Sequence, residues 1–104
     1  MKKQRTAAEK RYHDLISAYG CVLCSRLGRS TQDVEIHHIR IAAGGGQRAS
    51  HWLVIPLCFE CHRGKHGVHG DRQLLYQAKV GELDLVGDVI AMNDSIWREI
   101  AGNG

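Results

Sequence analysis

Leu57-Cys58-Phe59-Glu60-Cys61-His62-Arg63-Gly64-Lys65-His66 sets two thiols and two imidazoles on one short segment. Cys58-x-x-Cys61 has a counterpart upstream in Cys21-Val22-Leu23-Cys24. Two pairs with this separation let four thiolates converge tetrahedrally on one Zn²⁺ at about 2.3 Å. The ion would tie an N-terminal knuckle to the start of a helix over Cys58–His69 and bracket what lies between. On that helix His62 and His66, one turn apart, share a face. Two imidazoles at that spacing can hold a single metal ion. Gly64, Gly67 and Gly70 make the helix short and weak.

Working outward, Val34–Arg40 (VEIHHIR) and His51–Leu57 (HWLVIPL) read as two strands of a β-hairpin. Pro56 marks an edge or a strand terminus. Between them Ile41–Ser50, with Gly44-Gly45-Gly46, reads as a mobile loop. His37 and His38 are strand neighbours and point to opposite faces, so both cannot ligate one ion undistorted. One could ligate while the other works as a base. A neutral imidazole, with an ordinary pKa of about 6.5, can take a proton from water near neutral pH. His69, three residues after His66, is an alternative ligand, and His13 looks incidental.

The flanks read as helices. Residues 5–19 place Ala7, Ala8, Tyr12, Leu15, Ile16 and Tyr19 at helical spacing, with Gly20 as a stop. Asp71 is an N-cap for Arg72–Val80, and Leu85–Ile100 presents Leu85, Val89, Met92, Ile96 and Ile100 to a core. The expected architecture is a small α+β fold of zinc knuckle, hairpin and helix, with helices before and after it.

Composition agrees with a stapled core. The chain has 104 residues, 43% hydrophobic, with 12 glycines and few aromatics, so a metal would help a thin core. Structural zinc can contribute on the order of 10 kcal/mol to folding. MKKQRTAAEKRYH has no apolar run behind its charges, which speaks against a secretory signal, and no stretch has the length of a membrane span. The expectation is a cytoplasmic protein, where paired cysteines are more often ligands than disulfides. A thioredoxin-like redox pair would need a βαβ context that the pattern lacks. The net charge of +3 is uneven. Lys2, Lys3, Arg5, Lys10 and Arg11 crowd the beginning, and Glu82, Asp84, Asp88, Asp94 and Glu99 the end. The basic side could face a polyanion.

The order Cys-x-x-Cys, Glu35-Ile36-His37-His38-Ile39, a glycine-rich loop, Ser50-His51-Trp52-Leu53-Val54-Ile55-Pro56-Leu57-Cys58 and then Cys61-His62 with a further His resembles the HNH, or ββα-metal, endonuclease superfamily. It is most similar to the phage members related to recombination-enhancement, RecA-dependent nucleases. The resemblance covers about residues 21–70, with helices at about 5–19 and 72–101 flanking it in one domain of 1–104. It implies a treble-clef-like fold and metal-dependent hydrolysis of DNA, leaving 5′-phosphate and 3′-hydroxyl ends. It implies His37 as a ligand where many relatives have Asp, His38 as general base, and His62 and His66 completing the metal site. A recombinase or another DNA-processing protein would be a partner. The chain departs from the pattern in having no Asn in 41–61. His51 stands near that position and could replace it, by fixing the loop or orienting His38. The shell also lacks a carboxylate. Imidazoles favour Zn²⁺, Ni²⁺ or Co²⁺ over Mg²⁺, although Mg²⁺ or Mn²⁺ could support turnover.

Arg40, Arg48, Arg63 and Lys65 are candidates to grip phosphates. Trp52 suits the core better than base stacking. Two other functions fit the same residues: a zinc module that binds nucleic acid or protein without cutting, and a nuclease directed at RNA.

Overall fold

Thr6 and Glu9 start the first helix by capping each other. The Thr6 hydroxyl accepts the Glu9 N–H at 3.1 Å, and Glu9 Oε1 accepts the Thr6 N–H at 2.7 Å. Helix α1 then runs Ala7–Ser17 and buries Tyr12, His13 and Ile16. The computed structural model describes residues 4–39 and 50–92. Arg40, Arg48, the Gly44–Gly46 run, Ile96 and Ile100 lie outside them.

After α1 come α2 (Val22–Arg26), β1 (Val34–His38), β2 (Val54–Cys58), α3 (Phe59–Arg63), α4 (Gln73–Ala78) and α5 (Glu82–Met92). Gly20 makes the first corner. Its φ of +89° suits a residue without a side chain, and a Cβ there would stand 2.6 Å from the Thr31 carbonyl oxygen. The knuckle expected at Cys21–Cys24 is thus the first turn of a short helix, with Cys21 at its N-cap.

The strands form a two-stranded antiparallel sheet, with His37 opposite Ile55 and Ile36 opposite Pro56. Ile39 N–H donates to the Leu53 carbonyl at 2.9 Å. In an antiparallel ladder bonded and non-bonded pairs alternate, so the 36/56 pair is a non-bonded one. Pro56 sits mid-strand without costing a ladder bond. The core covers both faces of β2: Ile55 and Leu57 on one and Val54 and Pro56 on the other are fully buried, as are Tyr12, Ile16, Leu23, Leu85 and Val89. This is a small α+β fold of hairpin and helices around a cysteine cluster, consistent with a small zinc-binding ββα fold.

Several boundaries differ from the sequence reading: β2 begins at Val54 rather than His51, α5 begins at Glu82 rather than Leu85, and two others have a visible cause. The helix from Cys58 stops at Arg63, because Gly64 turns extended and its neighbours fold back along the helix. Val68 N–H donates to the Cys61 carbonyl at 2.8 Å and His69 N–H to that of His62 at 3.1 Å. A Cβ on Gly67 would lie 2.5 Å from the Cys61 carbonyl oxygen, so that approach requires glycine. The next helix is capped by Arg72, in the left-handed region at φ 65°, rather than by Asp71. Asp71 Oδ1 still accepts the Gln73 N–H at 3.0 Å. Among the described residues no helix is long and apolar enough to cross a membrane.

Candidate functional site

The four cysteines, all buried, converge from α2 and from the β2–α3 junction. Cys24 Sγ lies 3.7 Å from both Cys58 Sγ and Cys61 Sγ. A disulfide would need about 2.05 Å. Four ligands at about 2.3 Å in a tetrahedron stand about 3.8 Å apart, so the donors fit one tetrahedral ion. The Cys24 N–H and the Thr31 hydroxyl donate to sulfur, each at 3.3 Å, which fixes the directions of Cys21 and Cys24. A hydrogen bond from Cys61 pulls the Cys21 thiol down to about 5, and burial pushes that of Cys24 up.

On one face of the hairpin His37, His62 and His69 offer ligand atoms that all lie within 4.8 Å of one another. His62 Nε2 and His69 Nε2 are 3.2 Å apart. Imidazoles bound at about 2.1 Å in a tetrahedral shell would stand about 3.4 Å apart, so this donor set also fits an ion. Two carboxylates stand behind the rings. His62 Nδ1–H donates to Glu35 Oε1 at 2.7 Å, and His37 Nε2–H to Glu82 Oε1 at 2.6 Å. Each carboxylate fixes the tautomer of its histidine and leaves the other nitrogen's lone pair for a ligand's role. Glu82 is itself tied to Arg72 at 3.0 Å. Burial holds His37 below the ordinary imidazole pKa against the pull of Glu82. Burial works against ionisation of Glu82, but hydrogen bonds from His37 and Arg72 keep its pKa below the usual value.

The partnership expected between His62 and His66 is therefore replaced by one between His62 and His69. With the helix ended at Arg63, His66 is no longer one helical turn from His62. It lies exposed, with Nδ1 2.9 Å from Asp71 Oδ2.

The other face of the hairpin carries a second group, His13, His38 and His51. His38 Nε2 lies 2.9 Å from His51 Nδ1. His13 is 2% exposed. Its Nε2–H donates to the His51 carbonyl at 2.6 Å, and its Nδ1 accepts from the Arg5 guanidinium at 2.9 Å. The carbonyl can only accept and the guanidinium only donate, so His13 is held as one neutral tautomer. Its pKa is lowered by burial, with Arg5 and His51 adding to the effect against the carbonyl hydrogen bond. That of His38 is lowered by burial first and then by His51 and His13. Among the described residues nothing hydrogen-bonds His38 Nδ1. The alternation of the strand thus sends His37 and His38 to different groups, as the sequence implies.

Of the expected phosphate contacts, Arg63 is paired with Glu35 and lies over the Phe59 ring at 5.1 Å, while Lys65 is exposed. Trp52 packs on the core, its ring 5.4 Å from that of Tyr12. Three participants escaped the sequence reading. His13 sits beside Tyr12 on the buried stripe of α1, which is the signal that could have found it. Glu35 is two residues before His37 on the same strand face, also a readable cue. Glu82 lies far along the chain and had none.

A family model described as recombination enhancement, RecA-dependent nuclease matches residues 5–91. The match takes in α1, both cysteine pairs and both histidine groups. No curated protein matches the chain.

Proposed function

We infer the function from what this match supplies: the chain belongs to the recombination enhancement, RecA-dependent nuclease family, and its activity is that of a nuclease. The finer reading is a metal-dependent HNH-type endonuclease that hydrolyses DNA phosphodiesters. Residues 1–104 act in it as one domain, with the motif core at about 21–70. The observation that carries this is the pairing of two histidine groups across one hairpin, one backed by carboxylates and one containing a base with a nitrogen to spare.

The four cysteines hold a structural Zn²⁺. His37 and His62, with His69 in place of His66, hold a catalytic divalent cation, which when bound supplies charge relief at the scissile phosphate and the departing 3′-oxygen. His38 donates its Nε2–H to His51 and takes a proton from the attacking water at Nδ1. His51 fixes that tautomer, the task assigned to it in place of the missing Asn. Arg40, Arg48 and Lys65 grip flanking phosphates, and Arg63 joins them only by leaving Glu35. The products carry 5′-phosphate and 3′-hydroxyl ends. A recombinase or another DNA-processing protein is the partner that directs cutting. The all-imidazole donor set favours Zn²⁺ or Ni²⁺ in binding, whereas Mg²⁺ or Mn²⁺ can serve turnover.

The test is metal content together with cleavage of plasmid, single-stranded DNA and RNA by wild type and His38→Ala, across Mg²⁺, Mn²⁺, Ni²⁺ and Zn²⁺. The expected result is two ions per chain, DNA cut in preference to RNA, and a loss of roughly 10²- to 10⁴-fold in His38→Ala. One ion per chain and no cutting would turn the reading to a non-catalytic zinc module. Preference for RNA would change the substrate class.

A further inference from the structure

We propose that His13 and Arg5, on and just before α1, are positioning residues for the general-base side of the site. The proposal rests on the reading of His38 as the base. Its starting point is a buried polar side chain in a place that suits a hydrocarbon. His13 lies between Tyr12 and Ile16 on the apolar stripe of α1. A buried imidazole there costs free energy unless its nitrogens are satisfied, and both are.

What His13 holds is a main-chain atom of the residue that touches His38. The His51 carbonyl belongs to the turn that leads into β2. That turn is also fixed by Ser50, whose hydroxyl accepts the Trp52 N–H at 3.1 Å. With its backbone pinned from α1, His51 presents Nδ1 to His38 Nε2 at 2.9 Å. The rings reinforce the arrangement. That of His13 meets His38 edge-on at 5.9 Å and 86°, and His51 at 6.0 Å and 68°. Arg5 closes the chain by donating to His13 Nδ1, which compels the ring to turn Nε2–H to the carbonyl. The order is Arg5 to His13, His13 to the backbone of His51, His51 to His38. Neither Arg5 nor His13 hydrogen-bonds His38 itself, so neither is placed in contact with substrate. A helix outside the hairpin and α3 thereby sets the direction of the base.

The experiment compares wild type, His38→Ala, His13→Leu and His13→Gln on the DNA that wild type cleaves, reading kcat and KM separately. Leu fills the space without a donor, while Gln can again offer an N–H to the carbonyl. A misdirected base should cost turnover rather than binding. His13→Leu is expected to lose about 10²-fold in kcat, with KM within about twofold, and His13→Gln to recover most of it. Wild-type kcat in His13→Leu alongside a dead His38→Ala would overturn the positioning role and leave the base reading intact. Recovery no better in Gln than in Leu would overturn it as well. Full cleavage by His38→Ala would remove the base reading, and the proposal with it. Should His13→Leu fail to fold, ¹⁵N NMR of the wild-type histidines decides. A neutral His13 protonated at Nε2 supports the proposal, and a proton on its Nδ1 near neutral pH overturns it.

Discussion

The two histidine groups have the same number of rings and lie on opposite faces of the same hairpin, yet different partners touch their ring nitrogens. Behind His37 and His62 stand Glu82 and Glu35, each accepting one N–H. Behind His13 stands Arg5, and a carbonyl and a ring-to-ring hydrogen bond also tie the group together. Carboxylates raise the basicity of the nitrogens they leave over and offset the charge of an incoming cation. A guanidinium repels one, and His13 has both nitrogens committed. On the proposed function, three imidazoles close together would serve as an ion site in one place and as an oriented base in the other. The partners behind the rings decide which.

The largest effect should come from removing a ring in the carboxylate-backed group. His62→Ala is expected to lose the second ion altogether, read as metal per chain after dialysis. Glu82→Gln and Glu35→Gln should weaken that ion by roughly 10- to 100-fold, the usual worth of outer partners. His51→Ala should keep both ions while cutting poorly. An ion lost from His51→Ala but retained in His62→Ala would reverse the roles of the two faces.

The contrast also shows what a sequence can carry. Two Cys-x-x-Cys pairs name their own partners, since two such pairs can close round one tetrahedral ion, and the cluster formed as the spacing implies. The alternation of His37 and His38 was equally legible, because period two is a property of any strand. The second helix histidine was not. His62 and His66 fit a helix that Gly64 ends after Arg63, and the glycine turns bring His69 back instead. Spacing rules hold only while the element continues. His13 and Glu82 were illegible for a different reason: their value lies in contacts with residues 38 and 45 positions away. The place of His13 on the buried stripe of α1 is the one local hint, and Glu82 has none.

A smaller effect tests the buried ring of His13 through pH. Burial lowers the pKa of His13, so in the window below about 6.5 the unfolded chain binds more protons than the folded one. Stability must then rise with pH and fall as pH drops through that window. The slope from one such group cannot exceed about 1.4 kcal/mol per pH unit. His13→Leu should flatten the decline between pH 6.5 and 5.5, measured by urea unfolding. The carboxylates Glu35 and Asp71, both held below their usual pKa by hydrogen bonds to His62 and to the Gln73 N–H, add their own loss only at lower pH. A slope that is identical in wild type and His13→Leu would mean that His13 is not a neutral buried ring.

The smallest effect belongs to His66, and its smallness is the point. His66 is 52% exposed, its partner Asp71 46%, and an exposed pair of this kind adds little stability. His66→Ala should move the unfolding free energy by no more than about 0.5 kcal/mol and leave the second ion's affinity unchanged. His69 is also exposed on the same glycine turn, yet His69→Ala should lose that ion, because its Nε2 faces that of His62. Titration of the two variants with Zn²⁺ or Ni²⁺ separates them. If instead His66→Ala released the ion and His69→Ala kept it, α3 would have to run on past Gly64 in the bound protein. The carboxylate-backed group would then be assembled by helical spacing after all, not by the turn that follows it.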